Sequence, residues 1–350
     1  MRISAVWHLA VQVVLAAMIA MAGTAHSSEI ANLYSSMDSA DVTLEGDVAG
    51  MALRLDLIDE GRLIMTRNLT ADGPGTWVIR WPPFNAEKGS YNVCTSLWKN
   101  KNGTAVSSKC YSFFYGGVEP IRFDVRDFRA DSRGMHLAIS ASDPTVVDLY
   151  YMLIDGNKAV YVTREQVIPI AGSFAMPITK DYAWKQILEN GHEYAGRVKI
   201  VELNHNQTRA FMNSFLAVDD AMITETYQDE TGASATVIGN SRVPFEGSLR
   251  FILSQNGSIL NTTEKRTPVL LTGDDETVEI TWNKTLEPGI YQLRTVLLGQ
   301  GGIVKDLEEN VIEAKPLVRS NAADSVKKAS FPAGSAALAM LMIVLLMRRR

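Results

Sequence analysis

The chain has 350 residues, enough for about two or three domains. Hydrophobic residues make up 46% and charged residues 21%, a globular balance that excludes a disordered tail protein. The formal net charge of −5 argues against a nucleic-acid partner, whose phosphates require a basic surface. Two cysteines exclude an iron–sulfur protein, a cysteine-only zinc site and a disulfide-dense miniprotein.

The first 25 residues read as a secretory signal peptide. Arg2 supplies the basic start, Val11 to Ala22 the apolar core, and Gly23-Thr24-Ala25 a small-x-small cleavage site. Cleavage is expected after Ala25.

Three similar stretches follow. Trp81 precedes Tyr91 by 10 residues, Trp184 precedes Tyr194 by 10, and Trp282 precedes Tyr291 by 9. In the first and third the Trp ends a strand-like run, TWVIRW and TVEITW. In all three the Tyr opens an alternating run: SYNVCTSLW, EYAGRVKIVEL and IYQLRTVLL. Upstream, LRLDLIDEGRLIMT from Leu53, YYMLIDGNKAVYVT from Tyr150 and LRFILSQNGSILNT from Leu249 each place two strand-like runs around a turn of Asp, Asn or Gly. That is a β-hairpin signal. Residues 29–117, 118–219 and 220–316 are therefore predicted as three tandem antiparallel β-sandwiches, making the chain all-β. Asp181 to Glu189 is the one stretch open to a short helix or a loop. Trp81, Tyr91, Trp184, Tyr194, Trp282 and Tyr291 are expected in the cores.

A Tyr that opens a late strand resembles the tyrosine corner of immunoglobulin-like and fibronectin type III-like domains. The resemblance spans residues 30 to 316 and implies a hydroxyl bonded back to the chain. It is silent about function.

In the first stretch, Cys94 and Cys110 flank the turn Lys101-Asn102-Gly103-Thr104 symmetrically. Antiparallel strands closing on that turn would face the cysteines across the ladder, so a disulfide is expected.

After the third stretch, residues 317–330 are polar and small and read as a flexible stalk. Phe331 to Met347 is an uncharged run of 17 residues, followed by Arg348 to Arg350. A membrane anchor is expected at 331–347, with 348–350 as the cytoplasmic end. Ser330-Phe331-Pro332-Ala333-Gly334, the apolar run and the arginines together resemble the PGF-CTERM and PEF-CTERM sorting signals of archaeal surface proteins. That resemblance implies an archaeal source and an archaeosortase that exchanges the helix for lipid.

Asn-x-Ser/Thr occurs at Asn68, Asn102, Asn206, Asn256, Asn261 and Asn283, all candidate glycosylation sites. Plain turn chemistry is the competing reading, because Asn is favoured in turns without any sugar.

No nucleophile elbow, P-loop or dinucleotide fingerprint is present. His26, His136, His192 and His205 share no metal-ligand spacing. Asp219-Asp220, Asp274-Asp275-Glu276, Asp59-Glu60 and Asp155 read as solvated turn carboxylates, with calcium at a domain junction as the alternative. No catalytic, cofactor or metal residue is expected.

These features point to a non-catalytic extracellular surface protein, held on the outer face of the plasma membrane by its C-terminus, with a structural or adhesive role in the envelope. Its expected partners are the membrane and other envelope proteins or glycans. The alternative is an ectodomain that binds a glycan, peptide or cation, alone or for a membrane complex, with the second stretch, residues 118–219, as the candidate because its 160–190 segment departs most from the repeat.

Overall fold

The computed structural model describes residues 27–99, 103–116 and 122–315. The expected signal peptide, the membrane anchor, the turn residue Asn102 and His26 lie outside them. No helix among the described residues is long and apolar enough to cross a membrane.

The described residues form 21 strands, one short 3-10 turn at Gln300–Gly302 and no α-helix. The first seven strands are β1 (Glu29–Ser35), β2 (Ser39–Glu45), β3 (Ala52–Asp59), β4 (Arg62–Thr70), β5 (Gly75–Arg80), β6 (Gly89–Trp98) and β7 (Ala105–Tyr115). The second seven are β8 (Phe123–Ala130), β9 (Gly134–Ala141), β10 (Thr145–Asp155), β11 (Lys158–Ile170), β12 (Ile178–Ala183), β13 (Glu193–Glu202) and β14 (Gln207–Leu216). The third seven are β15 (Ala221–Gln228), β16 (Gly232–Gly239), β17 (Ser248–Gln255), β18 (Ser258–Arg266), β19 (Asp275–Thr281), β20 (Gly289–Leu298) and β21 (Val304–Ala314).

Each set of seven repeats one pattern. Its first, second and fifth strands are neighbours, and its other four run in the order fourth, third, sixth, seventh. All the strand pairs are antiparallel. Alternation puts every second residue of a strand on the core side. On β6 these are Tyr91, Val93, Thr95 and Leu97, all buried. Three large apolar clusters result, one centred in each set.

Three separate sandwiches would have six sheets, and the described residues form five. The edge of β5 meets the start of β11 through the Trp77–Lys158 pair and a 2.8 Å bond from the Val78 N–H to the Asn157 carbonyl. The sheet of the first unit thus runs on into the second as a seven-stranded sheet, β1-β2-β5-β11-β10-β13-β14. The stretch from Asp181 to Glu189 holds the end of β12 and a loop, not a helix.

The hairpin turns follow from residue type. Glu60-Gly61 and Asn256-Gly257 both hold positive φ, at 45° and 84° and at 50° and 78°. Turns of that kind match the twist of the strands they join. The hairpins β3–β4, β10–β11 and β17–β18 each slip register at the equivalent place, after Leu57, Leu153 and Leu253.

Candidate functional site

The most distinctive polar arrangement lies where the first unit meets the second. On β2, Ala40, Val42 and Leu44 face their own core, so alternation turns Ser39, Asp41 and Thr43 outward. On β13, Tyr194, Val198 and Ile200 belong to the second core, which turns Ala195, Arg197 and Lys199 outward. These two outer faces meet. Asp41 accepts from Arg197 Nη2 at 3.0 Å and from Lys199 Nζ at 2.6 Å. Arg197 Nη1 donates to Ser39 Oγ. The Arg197 and Asp41 side chains are 0% and 1% exposed.

One carboxylate therefore faces two cations out of water. The excess positive charge falls against aromatic faces, since Lys199 Nζ lies 5.5 Å from the ring centroids of both Tyr34 and Tyr150. Burial pushes the Tyr34 hydroxyl well above its usual pKa, and it donates to the Thr208 carbonyl at 3.3 Å. Beside the charges, Val78 of β5 packs with Met152, Ile154 and Ala195 of the second unit in a separate apolar cluster. Arg80 reaches Ser214 Oγ at 3.0 Å, and Lys158 pairs with Asp72.

A cleft of about 740 Å³ opens along this seam. Asp38, Arg80, Pro83, Phe84, Tyr115 and Phe211 line it, among others. Flat apolar faces with one cation and one carboxylate can take a ligand that stacks and hydrogen-bonds, such as a sugar or an extended peptide.

The second and third units join differently. The Arg242 N–H donates to the Ser132 carbonyl at 2.9 Å, and Arg133 pairs with Asp220 at 3.0 Å. Val243, carried by the segment after β16, is buried in the second core. Asp219 is buried here and pairs with Lys305 at 2.8 Å, so it is not the solvated carboxylate that the sequence suggested.

Trp81, Tyr91, Trp184, Tyr194, Trp282 and Tyr291 are all buried. The Tyr91 hydroxyl donates to the Glu87 carbonyl and the Tyr291 hydroxyl to the Glu287 carbonyl, each at 2.9 Å and four residues back. Tyr194 instead accepts from the Glu189 N–H at 3.4 Å. Cys94 and Cys110 face each other across β6 and β7 and form a disulfide, with Cα atoms 4.1 Å apart. Cys94 alternates with the core residues Val93 and Thr95, so the bridge lies on the outer face of the sheet.

Of the described sequon residues, Asn206 and Asn256 sit in hairpin turns at φ 57° and 50°. Asn283 is exposed between β19 and β20. Asn68 and Asn261 lie within β4 and β18. His136 contacts Asp181 at 2.7 Å, His192 contacts Asp155 at 2.9 Å, and His205 lies 3.2 Å from Glu202. Asp274 accepts from the Leu271 N–H within a turn at 3.0 Å. Among the described residues, no group of three or more His, Cys, Asp or Glu is placed to hold a metal ion.

The second unit lines the cleft at the seam with Phe128 and with Ala210 to Asn213, whereas its residues 160–190 do not. They form most of β11, a loop with exposed Phe174 and Met176, β12 and the lead-in to β13. Sequence reasoning missed Asp41, Arg197 and Lys199. Alternation marks them as outward-facing, and nothing local says that a neighbouring unit covers them.

No protein-family model matches the chain, and no curated protein matches it. Among solved structures, it is similar to a tetra-tandem repeat in the extending region of a large adhesion protein, at 11% identity and a TM-score of 0.25. That likeness covers 83% of this chain and 75% of the other. It is also similar to trypsin-activated α-2-macroglobulin from Escherichia coli, at 10% identity and a TM-score of 0.22, covering 83% of this chain and 23% of that one. A third likeness, to dimeric latent PorU from Porphyromonas gingivalis, has 10% identity and a TM-score of 0.22 and covers 83% and 34%. The chain thus spans under a quarter of that macroglobulin and about a third of PorU. At these scores the likenesses carry no argument about function.

Proposed function

We propose that this is an extracellular surface protein, tethered by its C-terminus, with a structural or adhesive role in the cell envelope. The observation that supports the reading most is the seam between the first two units. A shared sheet edge, an apolar cluster and a buried Asp41–Arg197–Lys199 network fix one unit on the other. A rigid block of this kind suits a part that bears load or presents a surface. Non-catalytic action and a cell-surface location belong to the same proposal, as do the N-terminal signal and the C-terminal anchor.

The test is the intact mass and cell fraction of the protein purified from its source. The expected result is a membrane-bound chain that starts at His26 with its cysteines oxidised. A cytosolic chain that keeps its first 25 residues would overturn the reading.

The cleft of about 740 Å³ supports a second reading, an ectodomain that captures a glycan or peptide. Envelope polymers that bind the wild type and lose binding with Phe84→Ala would favour it over a purely structural role.

A further inference from the structure

Every sheet of this chain ends on edge strands, and an edge presents unpaired N–H and C=O groups to any passing strand. Most edges here are visibly managed. The first and last strands of each unit meet through side chains. The Ile30 N–H donates to Ser107 Oγ at 3.1 Å, the Arg122 N–H to Gln207 Oε1 at 3.2 Å, and the Ile223 N–H to Asp306 Oδ2 at 2.8 Å. The edge of β19 carries Asp275, Glu276 and Glu279, and β12 carries Lys180 and Asp181. The start of β11 is covered by β5. Further along, β11 is blunted by a register slip around Val167, a β-branched residue held at φ 58°, and by Pro169.

Among the described residues the two remaining edges are β4 and β18, equivalent strands of the first and third units. Each has a register slip, and charges stand to either side of Leu63–Thr66 on β4, Arg62 and Arg67, and after Thr263 on β18, Glu264, Lys265 and Arg266, but the stretch between is apolar or uncharged. Both have an uncharged stretch, Leu63-Ile64-Met65-Thr66 and Ser258 to Thr263. Both expose large apolar side chains there. Leu63 is 52% exposed, Ile259 68% and Leu260 54%. Left bare, such edges are association sites.

Each of these strands also holds a sequon asparagine inside the strand, Asn68-Leu69-Thr70 on β4 and Asn261-Thr262-Thr263 on β18. Asn is disfavoured in strands. Asn206 and Asn256 are explained by turns that require positive φ, but Asn68 and Asn261 are not. Asn68 is exposed and Asn261 half-exposed. β11, the equivalent edge that another strand covers, carries no sequon.

We infer that Asn68 and Asn261 carry N-linked sugars that cap the open edges of β4 and β18 and keep copies of the chain from pairing strand to strand. The sugar donor is a lipid-phosphate-linked oligosaccharide. The asparagine Nδ2 forms a bond to the anomeric carbon as the bond from that carbon to the phosphate oxygen breaks. The amide nitrogen gives up one proton, and the lipid phosphate leaves with the bonding electron pair. The inference rests on the extracellular reading above, because only an exported chain meets such a donor.

The experiment is site-resolved mass spectrometry of the full chain purified from its own membrane, followed by enzymatic release of sugars from the folded protein and sedimentation in detergent. Occupied Asn68 and Asn261 are expected, with a severalfold rise in self-associated species on release. Leu260→Lys in the stripped protein is expected to reduce that association, because it puts a charge on the β18 edge. Bare Asn68 and Asn261 on an exported, membrane-bound chain overturn the edge caps and leave the surface reading standing. Occupied sites whose release leaves sedimentation unchanged overturn them too. A cytosolic chain overturns both.

Discussion

Arg197 lies 3.0 Å from Asp41, although 156 residues separate them and each belongs to a different unit. With Lys199 also on Asp41, one carboxylate balances two buried cations. Removing the carboxylate would leave both cations buried and uncompensated. Asp41→Asn is therefore expected to destabilise the chain by about 3–5 kcal/mol. The triple change Asp41→Leu, Arg197→Met, Lys199→Met removes all three charges together and is expected to be far milder. Denaturant unfolding of the three proteins checks this. A single variant as stable as the wild type would show that the seam is not closed in solution.

The tryptophans anchor a repeated corner. Trp184 Nε1 donates to the Asp131 carbonyl at 2.7 Å and Trp282 Nε1 to the Asp229 carbonyl at 3.0 Å, both across 53 residues. Asp131 and Asp229 each hold the turn between the first two strands of their unit, accepting N–H bonds from the residues two and three further on. In the first unit Trp81 Nε1 uses Ser35 Oγ instead, at 3.3 Å. Trp81→Ala and Trp184→Ala are each expected to cost about 3–5 kcal/mol. Melting curves unchanged by either substitution would remove that tryptophan from the core account.

The glycine after each of those turns tests the same corner from the other side. A Cβ on Gly134 would lie 1.9 Å from the Tyr182 carbonyl oxygen, and one on Gly232 would lie 2.3 Å from that of Ile280. Backbone cannot yield as a flexible side chain can. Gly134→Ala is expected to destabilise the second unit more than Gly257→Ala destabilises the third. The Gly257 turn has open space, so a side chain there meets only the strain of φ 78°. Equal melting temperatures for the two variants would contradict the close approach at Gly134.

The β-rich fold was legible because its signals are local. Alternation marks strands such as β6, Asn-Gly marks the turn at 256–257, and the paired spacing of Trp and Tyr marks the repeat. The disulfide was legible because Cys94 and Cys110 flank one turn. The seam was not. Arg197 and Lys199 alternate with Val198 as surface residues of any half-buried strand do, and only the packing of the first unit's strands makes them interior. The shared sheet was equally hidden, because it rests on one strand pair, Trp77–Lys158, between residues with no pattern in common.

The Cys94–Cys110 bridge closes a short hairpin on an outer face, so its effect is bounded. A loop of about 15 residues gives at most roughly 3 kcal/mol in the chain-entropy account. The first core is built by other residues, with Leu53, Leu55, Leu57, Val93 and Leu97 at its centre. Mild reduction is expected to lower the melting temperature while leaving the strand signal in far-ultraviolet circular dichroism intact at room temperature. Loss of that signal on reduction would mean that the bridge, not the core, holds the first unit.

His192 gives the fold a pH dependence with a definite sign. Its Nε2 lies 2.9 Å from Asp155 Oδ1. That hydrogen bond raises the imidazole pKa above its usual value of 6.5, burial opposes it, and the charges of Asp155, Glu189 and Glu193 add to the rise. A pKa raised in the folded state means that folding favours the protonated ring. The contribution is therefore complete below about pH 6.5 and disappears as pH rises through the higher folded value. The side chain is 39% exposed, which keeps the effect small. His192→Gln is expected to lower the melting temperature at about pH 5 and to leave it nearly unchanged at about pH 9, where the wild-type ring is neutral. An equal gap between the two proteins at both pH values would show that Asp155 does not hold the imidazolium.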